Sequence, residues 1–207
     1  MTNSHILSIQ TALRGLNYDP GRPDGIFGAR TRVATEAWLK AGGRPAVTIQ
    51  PSDAGMLYQG AARHPVEEIV VHCAATRPLW MAAVPLAAKL AEIRRWHMQE
   101  RGWSDIGYHY VIDRDGEHVP GRPINRIGAH VVGRNQGTIG ICLLGGYEAA
   151  ASDRFQDHYT PAQDAALRAL IGDISRRTRI KRISGHNDHA ATACPGFDVG
   201  KWLASAA

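Results

Sequence analysis

Glu68-Ile69-Val70-Val71-His72-Cys73 is the stretch that decides the fold of this chain. It is a compact, β-branched run and reads as a strand that ends on a histidine and a thiol. Beyond it the period changes, because Leu90, Ile93 and Trp96/His97 keep helical spacing up to Gly102. Strand and helix therefore alternate, which predicts an α/β domain with a mixed central sheet flanked by helices. Tyr108 to Ile112 and Glu117-His118-Val119 flank Asp115-Gly116, a dipeptide suited to a two-residue hairpin turn, so part of the sheet is expected to be antiparallel. Thr138 to Leu144 reads as a buried strand that stops at Gly145-Gly146 and carries Cys142 in the core. Thr160-Pro161-Ala162-Gln163 combines an N-cap, a first-turn proline and a capping-box glutamine. Leu167, Leu170, Ile171 and Ile174 follow it at helical spacing.

Upstream the pattern differs. Ile6, Ile9, Leu13 and Leu16 recur at helical spacing behind Ser4 as an N-cap, and a turn-rich stretch runs from Asn17 to Gly25. A second helix is expected to carry Val33, Ala37, Trp38 and Ala41 on one face and to stop at Gly42-Gly43. Pro51 can open a third short helix through Leu57. Three short helices bury little surface alone, so residues 1–60 read as a small all-α accessory module, 61–65 as a linker and 66–207 as the catalytic domain.

Composition narrows the class. Of 207 residues, 44% are hydrophobic and 21% charged, as in an ordinary globular protein and unlike a disordered or collagenous one. The net charge of +5 suits an anionic partner without requiring one. The densest basic run, Arg176 to Arg182, has no interleaved aromatics and complements a helix end, so no nucleic-acid partner is expected. The apolar stretch from Pro78 to Ala88 is far shorter than the ~20 residues of a membrane helix. MTNSHILSIQ lacks a basic region followed by an apolar core, so the chain is expected to stay in the cytoplasm of the cell that makes it. Cys73, Cys142 and Cys194 are an odd set, which argues against a disulfide framework.

The chemistry rests on histidines and a thiol. His72 ends its strand, where a side chain projects from the rim of a sheet into a cleft. The segment Gly185 to Gly196 supplies His186 and Cys194, too far apart for a compact zinc knuckle, followed by a sharp Pro195-Gly196 turn. Two imidazoles and a thiolate make a three-ligand zinc site with a fourth position open to water, as a hydrolase needs. The alternative is that Cys194 is a small buried hydrophobe and His186 a loop residue, and spacing alone leaves both open. His109 should face away from Tyr108 and act structurally or as an outer partner of the site, and Cys73 should turn away from His72.

Several motifs in order carry a resemblance: Val71-His72-Cys73-Ala74-Ala75-Thr76, Ile93-Arg94-Arg95-Trp96-His97, Gly102-Trp103, Gly107 to Gly116, Gly128-Ala129-His130, Asn135, Ile139 to Leu143 and Cys194-Pro195-Gly196-Phe197-Asp198. Residues 66–207 resemble the phage-lysozyme type of zinc-dependent N-acetylmuramoyl-L-alanine amidase, whose fold peptidoglycan recognition proteins share. Leu13 to Tyr18, Asp24-Gly25-Ile26-Phe27-Gly28 and Thr31 resemble the three-helix peptidoglycan-binding module of cell-wall hydrolases. The resemblance implies zinc held by His72, His186 and Cys194, with Tyr108 as a catalytic hydrogen-bonding group. It places Thr192 where phage amidases of this type often carry lysine and catalytic recognition proteins carry threonine; a hydroxyl can donate to an oxyanion but supplies no positive charge. It sets His130 and Asn135 near the substrate groove.

The implied function is that of a modular endolysin, expected to be monomeric, which cuts the amide between N-acetylmuramic acid and L-alanine in bacterial peptidoglycan after release through a permeabilised membrane. The rivals are a recognition protein that binds without cutting, an amidase that recycles soluble muropeptides, and a stem-peptide peptidase. The intact ligand set speaks against the first, the wall-binding module against the second, and the amidase motifs against the third.

Overall fold

The computed structural model describes residues 2–16, 18–40, 42 and 55–205. In chain order these form α1 (Asn3–Gly15), α2 (Ala29–Lys40), β1 (Tyr58–Gln59), β2 (His64–Pro65), β3 (Glu68–Cys73), α3 (Leu86–Arg95), β4 (Tyr110–Ile112), β5 (His118–Pro120), β6 (Thr138–Leu143), α4 (Phe155–His158), α5 (Pro161–Arg177), β7 (Arg182–Gly185) and α6 (Val199–Ala204). One sheet has the order β5-β4-β6-β3-β7. Strands β4, β6, β3 and β7 run parallel, and β5 pairs antiparallel to β4. This is the expected mixed sheet. No helix among the described residues is long and apolar enough to cross a membrane.

Strand β3 sits between β6 and β7 and is covered on both faces, which explains the consecutive apolar residues Ile69, Val70 and Val71 at its centre. Its Ile69 and Val71 join Ile139, Ile141 and Leu143 of β6 beneath Leu167, Ile171 and Ile174 of α5. On the other face Leu86 and Ile93 of α3 pack with Val111 and Cys142. Each such side chain contributes about 1.5–3 kcal/mol when fully buried. Alternation then turns Glu68, Val70 and His72 toward the α3 side. A buried ion pair, Lys89 Nζ to Asp113 Oδ2 at 2.5 Å, ties α3 to the end of β4. Just beyond α3 the chain widens into a π-type turn over Trp96–Glu100, where the Arg101 N–H donates to Trp96 O at 3.2 Å. That extra residue in the turn aims Trp96 and His97 at the same cleft.

Several local expectations are corrected. The N-cap of α1 is Thr2, whose Oγ1 accepts from the His5 N–H, and Ser4 lies inside the helix. The buried face of α2 is Thr31, Ala34 and half-buried Trp38, whereas Val33 is 64% exposed. The reason is a polar anchor: Gln10 Nε2 donates to Thr31 Oγ1 and Asp24 Oδ1, and its Oε1 accepts from the Asp24 and Gly25 N–H groups. That anchor outweighs the apolar pattern in setting the rotation of α2. Gly25 has φ +75°, and a Cβ there would come within 2.9 Å of Asn3 O, so glycine is required. Gly42, at φ +66°, does follow the end of α2. The expected third helix falls largely on residues outside those described, and residues 55–57 are not helical.

The β4–β5 connection is a three-residue loop rather than a two-residue turn. Asp113 N–H donates to Glu117 O, and Gly116, at φ +89°, takes the left-handed position after Arg114 and Asp115. The segment expected as a linker, 61–65, is also structured: it supplies the turn and the second strand of a hairpin with β1, with Tyr58 opposite Pro65. Its Gln59 is fully buried, donating to Ile124 O and Thr138 O and accepting from Gly137 N–H. Buried polar side chains persist when satisfied in this way, so the hairpin is fastened to the start of β6.

Candidate metal centre

The carboxyl ends of adjacent parallel strands are where α/β sheets open into a crevice. His72 stands near that end of β3, and His186 directly follows β7. Cys194 returns to the same point because the intervening loop closes on itself: Asn187 N–H donates to Cys194 O at 2.7 Å and Asn187 Nδ2 to Phe197 O at 3.2 Å. Gly196, at φ +88°, completes the turn behind the thiol. One ligand atom from each of His72, His186 and Cys194 lies within 4.8 Å of the others. The Sγ of Cys194 is 3.8 Å from His72 Nδ1 and accepts the Cys73 N–H at 3.1 Å. Among the described residues this is the one such cluster of possible metal ligands. Two nitrogens and a sulfur at this separation fit a tetrahedral zinc ion, with ligand bonds of about 2.0–2.3 Å and one position left open.

The electrostatics suit the same ion. Burial holds His72 far below the ordinary imidazole range, with the neighbouring His130 adding to it, and burial also lowers His186. Both rings are therefore neutral at physiological pH and offer a lone pair. His72 Nε2 lies 3.1 Å from His130 Nδ1, and His130 Nε2 lies 3.3 Å from Thr138 Oγ1. The Thr138 hydroxyl itself donates to Arg134 O and Asn135 O. One proton arrangement satisfies the series: His72 Nε2–H to His130, and His130 Nε2–H to the oxygen of Thr138. It leaves His72 Nδ1 bare on the side of Cys194, which is the way an outer partner fixes the tautomer of a ligand. Cys73 packs, as expected, against the core on the face opposite His72 and also borders the cleft, where hydrogen bonding with the Cys194 sulfur lowers its thiol to about 7.

The cleft above this cluster is a hollow of about 360 Å³ whose walls include Trp96, His97, Glu100, Arg101, Trp103, Tyr108, His130 and Thr192. A larger hollow, about 570 Å³, lies between Phe155 and Trp202, away from these ligands. Tyr108 is half-buried, 5.3 Å from the His72 ring, and burial followed by the nearby thiols raises its phenol well above the ordinary range. It is a hydrogen-bond donor at neutral pH. Thr192 Oγ1 accepts the Cys194 N–H at 3.3 Å, which leaves its own proton free to point into the cleft.

His130 lines the cleft, yet both of its ring nitrogens face protein partners. Asn135 is not among the lining residues; its Oδ1 accepts from the His130 and Val131 N–H groups at 2.7 and 2.9 Å and so shapes the loop. His109 is fully buried and structural as expected, its Nδ1 accepting from Gly140 N–H and its Nε2 donating to Arg126 O. The wall formed by Trp96, Glu100 and Arg101 was not legible beforehand, since it depends on the π-type turn that no sequence period announces.

The family model described as N-acetylmuramoyl-L-alanine amidase matches residues 62–197. The endolysin of Klebsiella phage KP32 is 38% identical over 144 residues, which span 70% of this chain and 89% of that protein. Among solved structures, the endolysine N-acetylmuramoyl-L-alanine amidase LysCS from Clostridium intestinale superposes with a TM-score of 0.54 at 29% identity, over 67% of this chain and 81% of that one. Bumblebee PGRP-SA does so with 0.55 at 28%, over 70% and 84%. A matched stretch that takes in His72, Tyr108, His186 and Cys194, together with shared fold and the phage relative, gives the conclusion that the chain belongs to the N-acetylmuramoyl-L-alanine amidase family.

Proposed function

We propose that this protein is a zinc-dependent endolysin: the amidase domain hydrolyses the amide between the lactyl group of N-acetylmuramic acid and L-alanine in peptidoglycan, and the N-terminal helical unit holds the polymer. The observation that carries the reading is the convergence of His72, His186 and Cys194, with His186 and Cys194 lining an open cleft and His72 buried beside them. Zinc, held by those three side chains, supplies a Lewis acid and an activated water at neutral pH. The residues of the chain do the rest. Tyr108, protonated through burial, donates a hydrogen bond to the oxygen that gains charge as the carbonyl carbon becomes tetrahedral. Thr192 lies where it can donate a second, weaker one. Trp96 and Trp103 form an apolar wall against which a sugar or peptide can lie. His130 keeps the His72 ring in the tautomer that presents Nδ1.

For the N-terminal unit, support comes from the folded Asp24–Thr31 motif and from Ile26 and Val33, 65% and 64% exposed, which leave apolar surface free for a ligand. In this reading the protein collects in the producing cell and meets the wall once the membrane is breached.

Digestion of purified peptidoglycan by zinc-loaded protein tests the reading. New L-alanine amino ends, identified by mass spectrometry and lost with His72→Ala, are expected; zinc-loaded protein that binds the polymer and releases no ends would make it a recognition protein instead. Tyr108→Phe removes one donor to the oxyanion and is expected to lower kcat by roughly 10²–10³-fold with little change in KM. A kcat within threefold of the parent would remove Tyr108 from the mechanism.

A further inference from the structure

Glu68 and His72 share a face of β3, two pleats apart, and Glu68 is buried among donors although nothing above uses it in the chemistry. Its Oε1 accepts the Ser184 hydroxyl at 2.8 Å and lies 3.0 Å from His189 Nε2, with Arg182 Nε at 3.4 Å. Its Oε2 accepts from Arg134 Nη2 at 3.0 Å. The His189 side chain is only 3% exposed, and its Nε2 is also 2.9 Å from Ser184 Oγ. Ser184 and Arg182 belong to β7, while His189 and Arg134 come from the two loops that build the site. His189 closes the short turn that begins at His186, its N–H donating to His186 O at 3.0 Å, and Arg134 belongs to the loop of His130.

We infer that Glu68 is a positioning residue for the metal centre: through His189 its carboxylate holds the turn that places His186, and through Arg134 it steadies the loop that places His130. This rests on the zinc reading above. The His189 arm is the stronger, because it is buried, whereas Arg134 and Arg182 are each half-exposed and screened by water. A single rigid strand thus sets the distance between this anchor and the ligand His72, so loop and sheet ligands meet in one geometry before any ion arrives.

The test is zinc affinity, measured on the full chain by competition with a chromophoric chelator, with the thermal midpoint of each metal-free protein recorded alongside. His189→Ala is expected to bind zinc about 10–100-fold more weakly, the usual effect of losing an outer partner of a ligand, and to unfold within a few degrees of the parent. His189→Gln, whose amide N–H reaches the same carboxylate, is expected to restore affinity to within a few-fold. Combining Glu68→Ala with His189→Ala should weaken binding no further than Glu68→Ala alone, since the His189 arm acts through that carboxylate. The cobalt-substituted His189→Ala protein should show an altered visible spectrum. Affinity of His189→Ala within twofold of the parent, or His189→Gln as weak as His189→Ala, would overturn the inference while the zinc reading stands. A parent that binds no zinc would overturn both, and that titration is read before any variant.

Discussion

Cys194→Ala protein is expected to come out of dialysis without zinc and to cut peptidoglycan at less than about a thousandth of the parent rate. The thiolate is one of three ligands, and its loss leaves two imidazoles, too few for the three-ligand set of catalytic zinc sites. The effect should exceed the roughly 10–100-fold that follows loss of an outer partner. Loss of fold is not the cause expected: Cys194 is half-buried, lies on a loop, and contributes no residue to the apolar core. Metal content by elemental analysis, released L-alanine ends and the circular dichroism of the metal-free variant separate the three effects. Cys73→Ser is the companion variant. It keeps the backbone N–H that donates to Cys194 Sγ at 3.1 Å and should retain zinc. Full activity in a metal-free Cys194→Ala protein would sink the zinc mechanism.

Metal-free protein should lose stability steeply as pH falls from about 6.5 to 4. Burial pushes His97 down to about 4, His109 to about 4 and His130 to about 3. These rings are neutral in the folded chain, whereas in the unfolded chain each takes a proton near pH 6.5. Stability is therefore complete above that value and is lost on acidification through the window down to the folded values. Each histidine contributes a slope of about 1.4 kcal/mol per pH unit inside the window. Three together remove of order 10 kcal/mol by pH 4, as much as the whole stability of a typical domain. Structural roles make the rings hard to replace, because His109 Nδ1 accepts from Gly140 N–H and His97 Nδ1 from Gly107 N–H. Urea midpoints at pH 7.5, 6, 5 and 4.5 in chelator measure the effect. Midpoints that stay level across that range would show that the three rings take up protons in the folded chain as readily as in the unfolded one.

The sequence by itself determined the local pieces. Short-range signals carry them: the β-branched run of β3, the capping box in which Thr160 Oγ1 accepts from Gln163 N–H at 3.1 Å, and the residue types of the ligand set. Its motifs, through resemblance, also named the family and set His72, His186, Cys194 and Tyr108 in one cleft. Where local chemistry met a competing tertiary contact, the pattern failed. The face of α2 is turned by the buried Gln10 to Thr31 bond, and Gln59, at the end of the expected N-terminal module, is fastened to the start of β6 and carries 61–65 into a hairpin. Only the tertiary structure decided the partners: His72 with His130, 58 positions apart, His72 with Cys194, 122 apart, and Glu68 with His189, 121 apart. Those pairings follow from strand register and from which face each side chain takes. Register is set by the packing of whole strands and helices against one another, and no window of neighbouring residues contains it.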